Sequence, residues 1–242
     1  MDKILFVDRD GTLIREPEDE QIDSLEKLEF LPGVFRNLYF IRHLLDYRLV
    51  MVSNQDGLGS ERYPRETFNK IQDKILRAFK NEGITFEEVL IDESTPANPS
   101  PGRKPATGMV RTYLDKNDWD RAKSFVIGDR VSDIKLAKNM GIRGILMSNQ
   151  QVPAGLSEPT ALKNATWNEI FRFLRNVDKS AVIQRKTRET EIKGELYLFG
   201  SGRATVNTGL KFFDHMLEQW PRHGGFDLEL SVKGDLEVDE HH

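Results

Sequence analysis

Two aspartates, Asp8 and Asp10, directly follow the apolar run Ile4-Leu5-Phe6-Val7. An unbroken apolar run of this length is typical of a strand that is covered on both faces. Because side chains alternate along a strand, the two carboxylates would share one face if the extended geometry continues past Val7. Two ionised carboxylates held close together repel each other, so such a pair requires a bound cation or a raised pKa. Gly11-Thr12 allow a turn whose exposed amides suit a phosphate or another anion, although an Asp-Gly turn after an ordinary strand is the alternative.

The elements that must position these carboxylates alternate between strand-like and helix-like patterns. Apolar spacing predicts helices that begin near Pro32-Gly33, Pro64, Ser132-Asp133 and Thr166. Such alternation favours an α/β fold with a largely parallel sheet. The predicted strands are Ile4-Val7, Leu49-Val52, Val89-Ile91, Phe125-Ile127 and Ile145-Met147.

Three further polar groups follow predicted strands or their loops. They are Ser53-Asn54, Arg103-Lys104-Pro105 and Gly128-Asp129-Arg130-Val131-Ser132-Asp133. In an open α/β sheet, ligands bind at the carboxyl ends of the strands. We therefore expect these groups to converge on the loop that contains Asp8.

Composition excludes several other classes of protein. The chain has 242 residues, 35 basic and 39 acidic residues and a net charge of -4, which gives no electrostatic reason to expect nucleic-acid binding. No apolar stretch approaches the roughly 18 residues that span a bilayer, and no signal peptide is evident. Because cysteine is absent, disulfides and thiolate zinc sites are excluded. We expect a soluble, cytoplasmic protein that does not bind membranes.

The pattern changes after Val177, and we expect a second domain from there. Strand-like alternation at Ile192-Leu198 precedes Gly200-Ser201-Gly202, which is predicted to turn the chain back into Ala204-Val206 as a hairpin. A helical stretch over Phe212-Gln219 and an alternating strand over 226–232 follow. The predicted domains are residues 1–178 and a partial α+β domain over residues 179–242.

The four motifs, in this order, resemble those of the haloacid-dehalogenase superfamily of phosphotransferases, over residues 4 to about 150. The resemblance implies a Rossmann-like parallel sheet flanked by helices. It implies that Asp8 is the nucleophile that forms an aspartyl-phosphate. Asp10 would protonate the leaving alkoxide and then activate a water molecule. Mg²⁺ would be held by Asp8, the backbone carbonyl of Asp10 and Asp129.

The same resemblance assigns Ser53 and Lys104 to the phosphate, and Asp133 to orienting Lys104 or a metal-bound water. Each of these residues, considered alone, has a simpler interpretation. Ser53 would be a turn residue and Lys104 a solvated surface charge. Asp133 would be a residue at a helix N-terminus, where the helix dipole favours a negative charge. Together with the aspartates, they favour catalysis. A phospho-acceptor module that keeps Asp8 without turnover is the non-enzymatic alternative, against which the acid Asp10 argues.

The connecting segments are too short for a sizeable cap domain. Only 44 residues separate Asp8 from Ser53, and 50 residues separate Ser53 from Lys104. We therefore expect an uncapped site that takes a small phosphorylated substrate and recognises it through its own loops. Asn54 and Arg103 are further candidate substrate-binding or phosphate-binding residues.

Within the superfamily, the chain more closely resembles the histidinol-phosphatase branch. The matching segments are Asp8-Arg9-Asp10-Gly11-Thr12-Leu13-Ile14, Ser53-Asn54-Gln55-Asp56-Gly57-Leu58-Gly59 and Gly128-Asp129-Arg130. The related heptose-bisphosphate phosphatases share much of this pattern and are the main alternative. The acidic loop beside the site offers Glu16 as a receiver for the amine of histidinol phosphate, although a solvated surface charge is the plainer interpretation.

Many members of both branches carry a zinc loop, with three Cys and one His, just before the lysine motif. Here Asp92, Ser94, Ser100 and Gly102 stand at the four ligand positions. Because no soft ligand is present, we predict no structural zinc in this loop. Its three prolines are expected to stiffen it instead.

Residues 185–242 resemble the start of imidazoleglycerol-phosphate dehydratase. The fusion of this enzyme to histidinol phosphatase is characteristic of bifunctional histidine-biosynthesis proteins, which favours histidinol phosphate over heptose. The dehydratase resemblance implies a pair of Mn²⁺ ions, with His215, His241 and His242 as candidate ligands and Glu189 as a substrate contact. His223 is a weaker candidate ligand. The alternative interpretation of His241 and His242 is that they are the remnant of a purification tag. The matching segments are Arg185-Thr190, Asn207-Thr208-Gly209, Phe212-Leu217, His223-Phe226 and Gly234-His242.

The chain stops where the family's His-His motif continues into its second half. We therefore expect no dehydratase activity from these residues alone, although the activity is expected of the full-length family. A homo-oligomer is a possibility that this resemblance leaves open.

Overall fold

The computed structural model describes residues 1–61, 63–116 and 118–234. The chain forms two compact units, with the division between Phe171 and Arg172. Within the described residues, no helix combines the length and the apolarity that crossing a membrane requires.

The first unit is built on a six-stranded sheet in the order β3-β2-β1-β4-β5-β6. Every neighbouring pair of strands runs parallel. The prediction of an α/β fold with a parallel sheet is therefore confirmed. The strands are β1 (Lys3–Val7), β2 (Tyr47–Asn54), β3 (Glu88–Asp92), β4 (Phe125–Gly128), β5 (Arg143–Leu146) and β6 (Thr160–Leu162).

Four helices and the first part of a fifth belong to this unit, and glycine or proline marks several of their ends. Helix α1 begins after Gly33, whose φ of 78° suits a residue without a side chain. Helix α4 ends at Gly141, which also adopts a left-handed conformation. The helices are α1 (Val34–Leu44), α2 (Arg65–Asn81), α3 (Arg111–Lys116), α4 (Val131–Met140) and α5 (Trp167–Asp178).

Strand β1 runs through the middle of the core, between β2 and β4. Leu5, Phe6 and Val7 are completely buried, as expected for a strand that helices cover on both faces. The ring of Phe6 packs edge-on against Tyr113 and Trp119. Because β1 is held in this way on both sides, the residues that follow Val7 start from a rigid position.

Most predicted elements are found, with specific differences. Strand β5 begins two residues earlier than predicted and ends at Leu146, while β6 and α3 were not predicted. Both of these elements of the first unit are short, and the β6 sequence Thr160-Ala161-Leu162 lacks a clear periodic pattern.

The second unit contains a four-stranded sheet in the order β7-β8-β10-β9. Strand β8 pairs antiparallel with both β7 and β10, whereas β9 pairs parallel with β10. The elements are β7 (Ser180–Lys186), β8 (Thr190–Tyr197), β9 (Ala204–Asn207), α6 (Lys211–Gly224) and β10 (Asp227–Gly234).

The predicted hairpin between β8 and β9 is therefore wrong. The backbone N–H groups of Ser201 and Arg203 donate to Oδ1 of Asp227, at 2.7 and 2.9 Å. Gly200 donates its N–H to the carbonyl of Gly225. These long-range bonds direct the chain to the far edge of β10, so the glycines do not form a tight turn back along β8.

Candidate active site

Asp8 stands at the carboxyl end of β1, where its backbone N–H donates to the carbonyl of Ile127 at 2.8 Å. The chain then turns at Gly11, which has a φ of 69°. A Cβ atom at Gly11 would lie 2.2 Å from Oδ2 of Asp129, so a larger residue would displace that carboxylate. The glycine thus allows the loop after β1 to approach the loop after β4.

Three carboxylates meet at this edge of the sheet. Asp8, Asp129 and Asp133 each offer an oxygen atom, and these atoms all lie within 4.8 Å of one another. Oδ1 of Asp129 is buried and accepts no hydrogen bond from the described residues. Several oxygen donors with one buried oxygen left unpaired fit a hard divalent cation.

The electrostatics of the three carboxylates point the same way. Burial raises the pKa of Asp8 to about 8, with the charges of Asp133 and Asp129 adding to the effect and Lys104 opposing it. Burial likewise raises the pKa of Asp129 to about 7, assisted by Asp133 and Glu16. A bound cation would offset this repulsion and favour the ionised forms.

Lys104 brings a positive charge to the same cluster. Its Nζ atom lies 2.7 Å from Oδ1 of Asp8 and 2.7 Å from Oδ1 of Asp133, and it donates to the carbonyl of Val52 at 3.0 Å. Burial alone would lower the pKa of Lys104, but Asp133 and Asp8 outweigh it and raise the pKa above its usual range. The lysine is therefore a permanent cation beside Asp8.

Two side chains fix the position of this lysine. Asn54 brackets its backbone, accepting from Lys104 N–H at 2.9 Å and donating to Lys104 O at 3.2 Å. Asp133 accepts from Lys104 and, through its second oxygen, from the N–H of Arg130 at 3.1 Å. Asn54 thus holds the backbone of Lys104, and Asp133 holds its ammonium while also belonging to the group of three carboxylates.

Asp10 and Ser53 lie on either side of Gln55, whose importance was not recognised from the sequence. Nε2 of Gln55 lies 2.6 Å from Oδ2 of Asp10 and 2.8 Å from Oγ of Ser53. The other oxygen of Asp10 accepts from the buried guanidinium of Arg9 at 2.6 Å. The sequence contains one indication of their importance, which is position. Arg9 lies between Asp8 and Asp10, and Gln55 directly follows Ser53-Asn54.

These groups open onto a cleft of about 450 Å³. Arg103 lines it and is held by Asp56, with Nη2 at 3.0 Å from Oδ2. Glu16 also lines it, but both of its oxygens accept from Nη2 of Arg130, at 2.8 and 3.0 Å. Seven of the predicted site residues line the cleft, namely Asp8, Asp10, Glu16, Ser53, Asn54, Arg103 and Lys104.

The loop before Lys104 is tied together by the residues at the four positions compared with zinc ligands. The carboxylate of Asp92 accepts from the N–H of Ser94 at 3.0 Å and from the hydroxyls of Ser94 and Ser100. Oγ of Ser100 accepts from the N–H of Gly102 at 2.9 Å. A Cβ atom at Gly102 would lie 2.7 Å from Oδ2 of Asp92, which explains the glycine.

In the second unit, Glu189 lies in the turn between β7 and β8, and His215 lies in α6. Both side chains are exposed. His223 is in the last turn of α6. The predicted ligands His241 and His242 lie outside the described residues.

The sheet order and the position of the carboxylates at its carboxyl edge give the first unit the fold of haloacid-dehalogenase-like hydrolases. A family model described as HAD-hydrolase-like matches residues 102–168. D,D-heptose 1,7-bisphosphate phosphatase from B. bronchiseptica, solved with magnesium and phosphate, has the same fold. It aligns with a TM-score of 0.61 and 24% identity, over 71% of this chain and 97% of that chain.

Comparison of whole sequences is more specific. The chain is 50% identical to the histidine biosynthesis bifunctional protein HisB of Bacteroides fragilis, over 99% of this chain and 65% of that protein. It is 46% identical to HisB of Stenotrophomonas maltophilia, over 100% of this chain and 65% of that protein. A model of imidazoleglycerol-phosphate dehydratase matches residues 208–242. The chain is thus a relative of the bifunctional HisB proteins and spans about two thirds of their length.

Proposed function

We propose that the first unit hydrolyses L-histidinol phosphate to L-histidinol and phosphate. The observation that carries this proposal is the contact of the buried Lys104 ammonium with the Asp8 carboxylate, beside two further carboxylates. This arrangement supplies a nucleophile, a fixed positive charge for the phosphoryl group and oxygen ligands for a cation.

The residues divide the reaction into two displacements. Asp8 attacks phosphorus and forms an aspartyl-phosphate while Asp10 protonates the departing alkoxide. Asp10 then takes a proton from the water molecule that hydrolyses this ester. Lys104 and Ser53 bind the phosphoryl oxygens throughout, and Asp133 holds Lys104 in place.

Mg²⁺ fits the oxygen ligands of this site, with Asp8, the backbone carbonyl of Asp10 and Asp129 to hold it. When bound, it would screen the carboxylates and polarise the phosphoryl group. We propose that the loop around Asp92 holds no zinc, because hydrogen bonds already join its residues.

The relatives support histidinol phosphate as the substrate, because the HisB proteins are named for histidine biosynthesis. The acidic side of the cleft supports a substrate with a cationic amine, and Glu16 is the proposed receiver. Heptose bisphosphate is the alternative substrate, since a phosphatase of that name shares the fold.

We assign residues 1–178 to the phosphatase and residues 179–242 to part of a dehydratase domain. The second assignment is supported by the family match over residues 208–242. In the complete domain, Glu189 would contact the substrate, and His215, His241 and His242 would bind Mn²⁺.

The test measures phosphate release from histidinol phosphate and from heptose bisphosphate, with Mg²⁺ and with a chelator. We expect release from histidinol phosphate that requires Mg²⁺ and is abolished in Asp8→Asn. The matched control is Asp115→Asn, which removes an exposed carboxylate of α3 and should retain full activity. Release of one equivalent of histidinol without release of phosphate would indicate a phospho-acceptor, and faster turnover of heptose bisphosphate would reassign the substrate.

A further inference from the structure

Arg9 stands between Asp8 and Asp10 in the sequence. Its side chain, including the guanidinium, is completely buried. Burying a charge is costly unless it is paired and hydrogen-bonded. Nη1 of Arg9 donates to Oδ1 of Asp10 at 2.6 Å, and Nε donates to Oε1 of Gln72 at 3.0 Å. The ring of Phe68 lies 5.1 Å from the guanidinium carbon. Arg9 is thus fixed by groups outside the cleft and holds one oxygen of Asp10.

The second oxygen of Asp10 faces a different kind of partner. It lies 2.6 Å from Nε2 of Gln55, which also contacts Oγ of Ser53. Gln55 is itself held by a backbone bond from its N–H to the carbonyl of Asp92 at 2.7 Å. The two oxygens of Asp10 are therefore hydrogen-bonded by two different side chains, Arg9 and Gln55, both of which are buried.

The two partners have different hydrogen-bonding capacities. A guanidinium has only donors, so Oδ1 of Asp10 cannot keep a proton while Arg9 remains in place. An amide has a donor and an acceptor, so a half turn of Gln55 would present Oε1 to a protonated Oδ2. The hydroxyl of Ser53 can donate or accept, so its bond to Gln55 survives that turn.

We propose that Arg9 and Gln55 are positioning residues that make Oδ2 the proton-transferring oxygen of Asp10. The inference rests on the proposed phosphatase reaction. As the bond between Asp8 and phosphorus forms, the bond from phosphorus to the alkoxide breaks, and the proton on Oδ2 moves to the alkoxide oxygen. The same oxygen then takes a proton from water as water attacks the aspartyl-phosphate, which restores Asp8 and releases phosphate.

The test exploits the basicity of the leaving group. An alkoxide needs a proton to leave, whereas p-nitrophenolate is a weak base that leaves without one. The variants are Arg9→Met, Arg9→Lys and Gln55→Met, assayed with histidinol phosphate and, by stopped flow, for the first turnover of p-nitrophenyl phosphate. Asn37→Leu is the matched control, because Asn37 is a buried polar side chain whose hydrogen bonds go to Gly33 and Asn168 and not to Arg9, Gln55 or Asp10.

We expect Arg9→Met and Gln55→Met to lower kcat for histidinol phosphate by roughly 10- to 100-fold, as a displaced general acid should. The p-nitrophenolate burst should slow by less than about threefold. Arg9→Lys should recover part of the loss, since ammonium also donates to Oδ1. In an Asp10→Asn background, the Arg9 and Gln55 substitutions should cause no further loss, because they act through Asp10.

Equal losses with both substrates, or full additivity with Asp10→Asn, would overturn the inference. If Arg9→Met does not fold, Gln55→Met decides the question with the same readouts. The absence of Mg²⁺-dependent release by the unmodified protein from either substrate would instead refute the proposed function.

Discussion

The Nζ atom of Lys104 lies 2.7 Å from Oδ1 of Asp8, and neither side chain reaches the surface to an appreciable extent. Asp133 accepts from the same ammonium on another side. In a site with little water, such a contact is much stronger than it would be in solution. The proposed nucleophile, Asp8, is therefore oriented before substrate arrives, and the same positive charge is available to the phosphoryl group in the proposed reaction.

Replacing Lys104 by Met should abolish turnover and destabilise the protein. Loss of a fixed charge at the reacting group typically costs about 10²- to 10³-fold in kcat. The substitution also leaves Asp8 and Asp133 without their buried cation, a loss of about 3–5 kcal/mol in the free energy of unfolding. Phosphate release and urea unfolding measure the two effects, with the exposed Lys135 replaced by Met as the control. Retained activity in Lys104→Met would contradict the assigned role.

Stability of the metal-free protein should depend on pH in an unusual direction. Asp8 and Asp129 have raised pKa values, about 8 and about 7, against an ordinary value of 3.8. Between those limits the folded state holds protons that the unfolded chain has released. The free energy of unfolding contributed by these groups therefore falls as pH rises from about 4 towards 8.

Urea unfolding in the presence of a chelator, between about pH 5 and pH 8, measures this slope. Asp129→Asn should flatten it, because that group no longer titrates. Mg²⁺ should stabilise the unmodified protein more at the upper end of the range, since a cation binds the ionised carboxylates. A chelated protein whose stability depends on pH in the same way as that of Asp129→Asn would rule out this account.

Glu16→Gln tests recognition of the substrate amine. If Glu16 receives the amine, KM for histidinol phosphate should rise by about tenfold, equivalent to about 1.4 kcal/mol. KM for p-nitrophenyl phosphate, which has no amine, should stay unchanged. The exposed Glu18, replaced by Gln, is the control in the same loop. Unchanged KM for both substrates would leave Glu16 only its contact with Arg130.

Asp92→Ala should loosen the loop that precedes Lys104. The substitution leaves the Ser94 and Ser100 hydroxyls without their shared acceptor, a loss of about 1–3 kcal/mol. We expect faster proteolysis within residues 92–103 and a higher KM, since Arg103 is bound to the carbonyl of Ser94 in that loop. Asn98→Ala changes an exposed side chain of the same loop and serves as the control. Elemental analysis should find no stoichiometric zinc, and its presence would refute the metal-free loop.

The parallel sheet and most of its strands were predictable because buried apolar runs and helical spacing are local patterns. Convergence of the motifs was predictable because the carboxyl ends of parallel strands share one edge. Strand β7 was missed because its sequence, Ser180–Lys186, is mostly exposed and carries no clear alternation. The hairpin error arose because Gly200–Gly202 has a local turn signal, whereas its conformation is set by Asp227.

The partners of the motif residues were not predictable. Arg9 would be expected at the surface, since arginine is seldom fully buried without a partner. Its partner Gln72 lies 63 residues away in helix α2, so no pattern in the sequence near Arg9 predicts the contact. The bond between Arg130 and Glu16 spans 114 residues and is equally invisible to patterns of local spacing.

Strand β1 precedes both of its neighbours in the chain and is complete only when the later one is in place. Its neighbours are β2 and β4, and the N–H of Ile4 donates to Ser124, 120 residues further along the chain. Contacts of such large sequence separation form slowly. During synthesis, the apolar run Ile4–Val7, which ends just before Asp8, therefore has one edge unpaired until β4 follows. The run that positions Asp8 in the folded protein is thus an unpaired apolar strand edge while the chain is incomplete, and such edges favour misassembly.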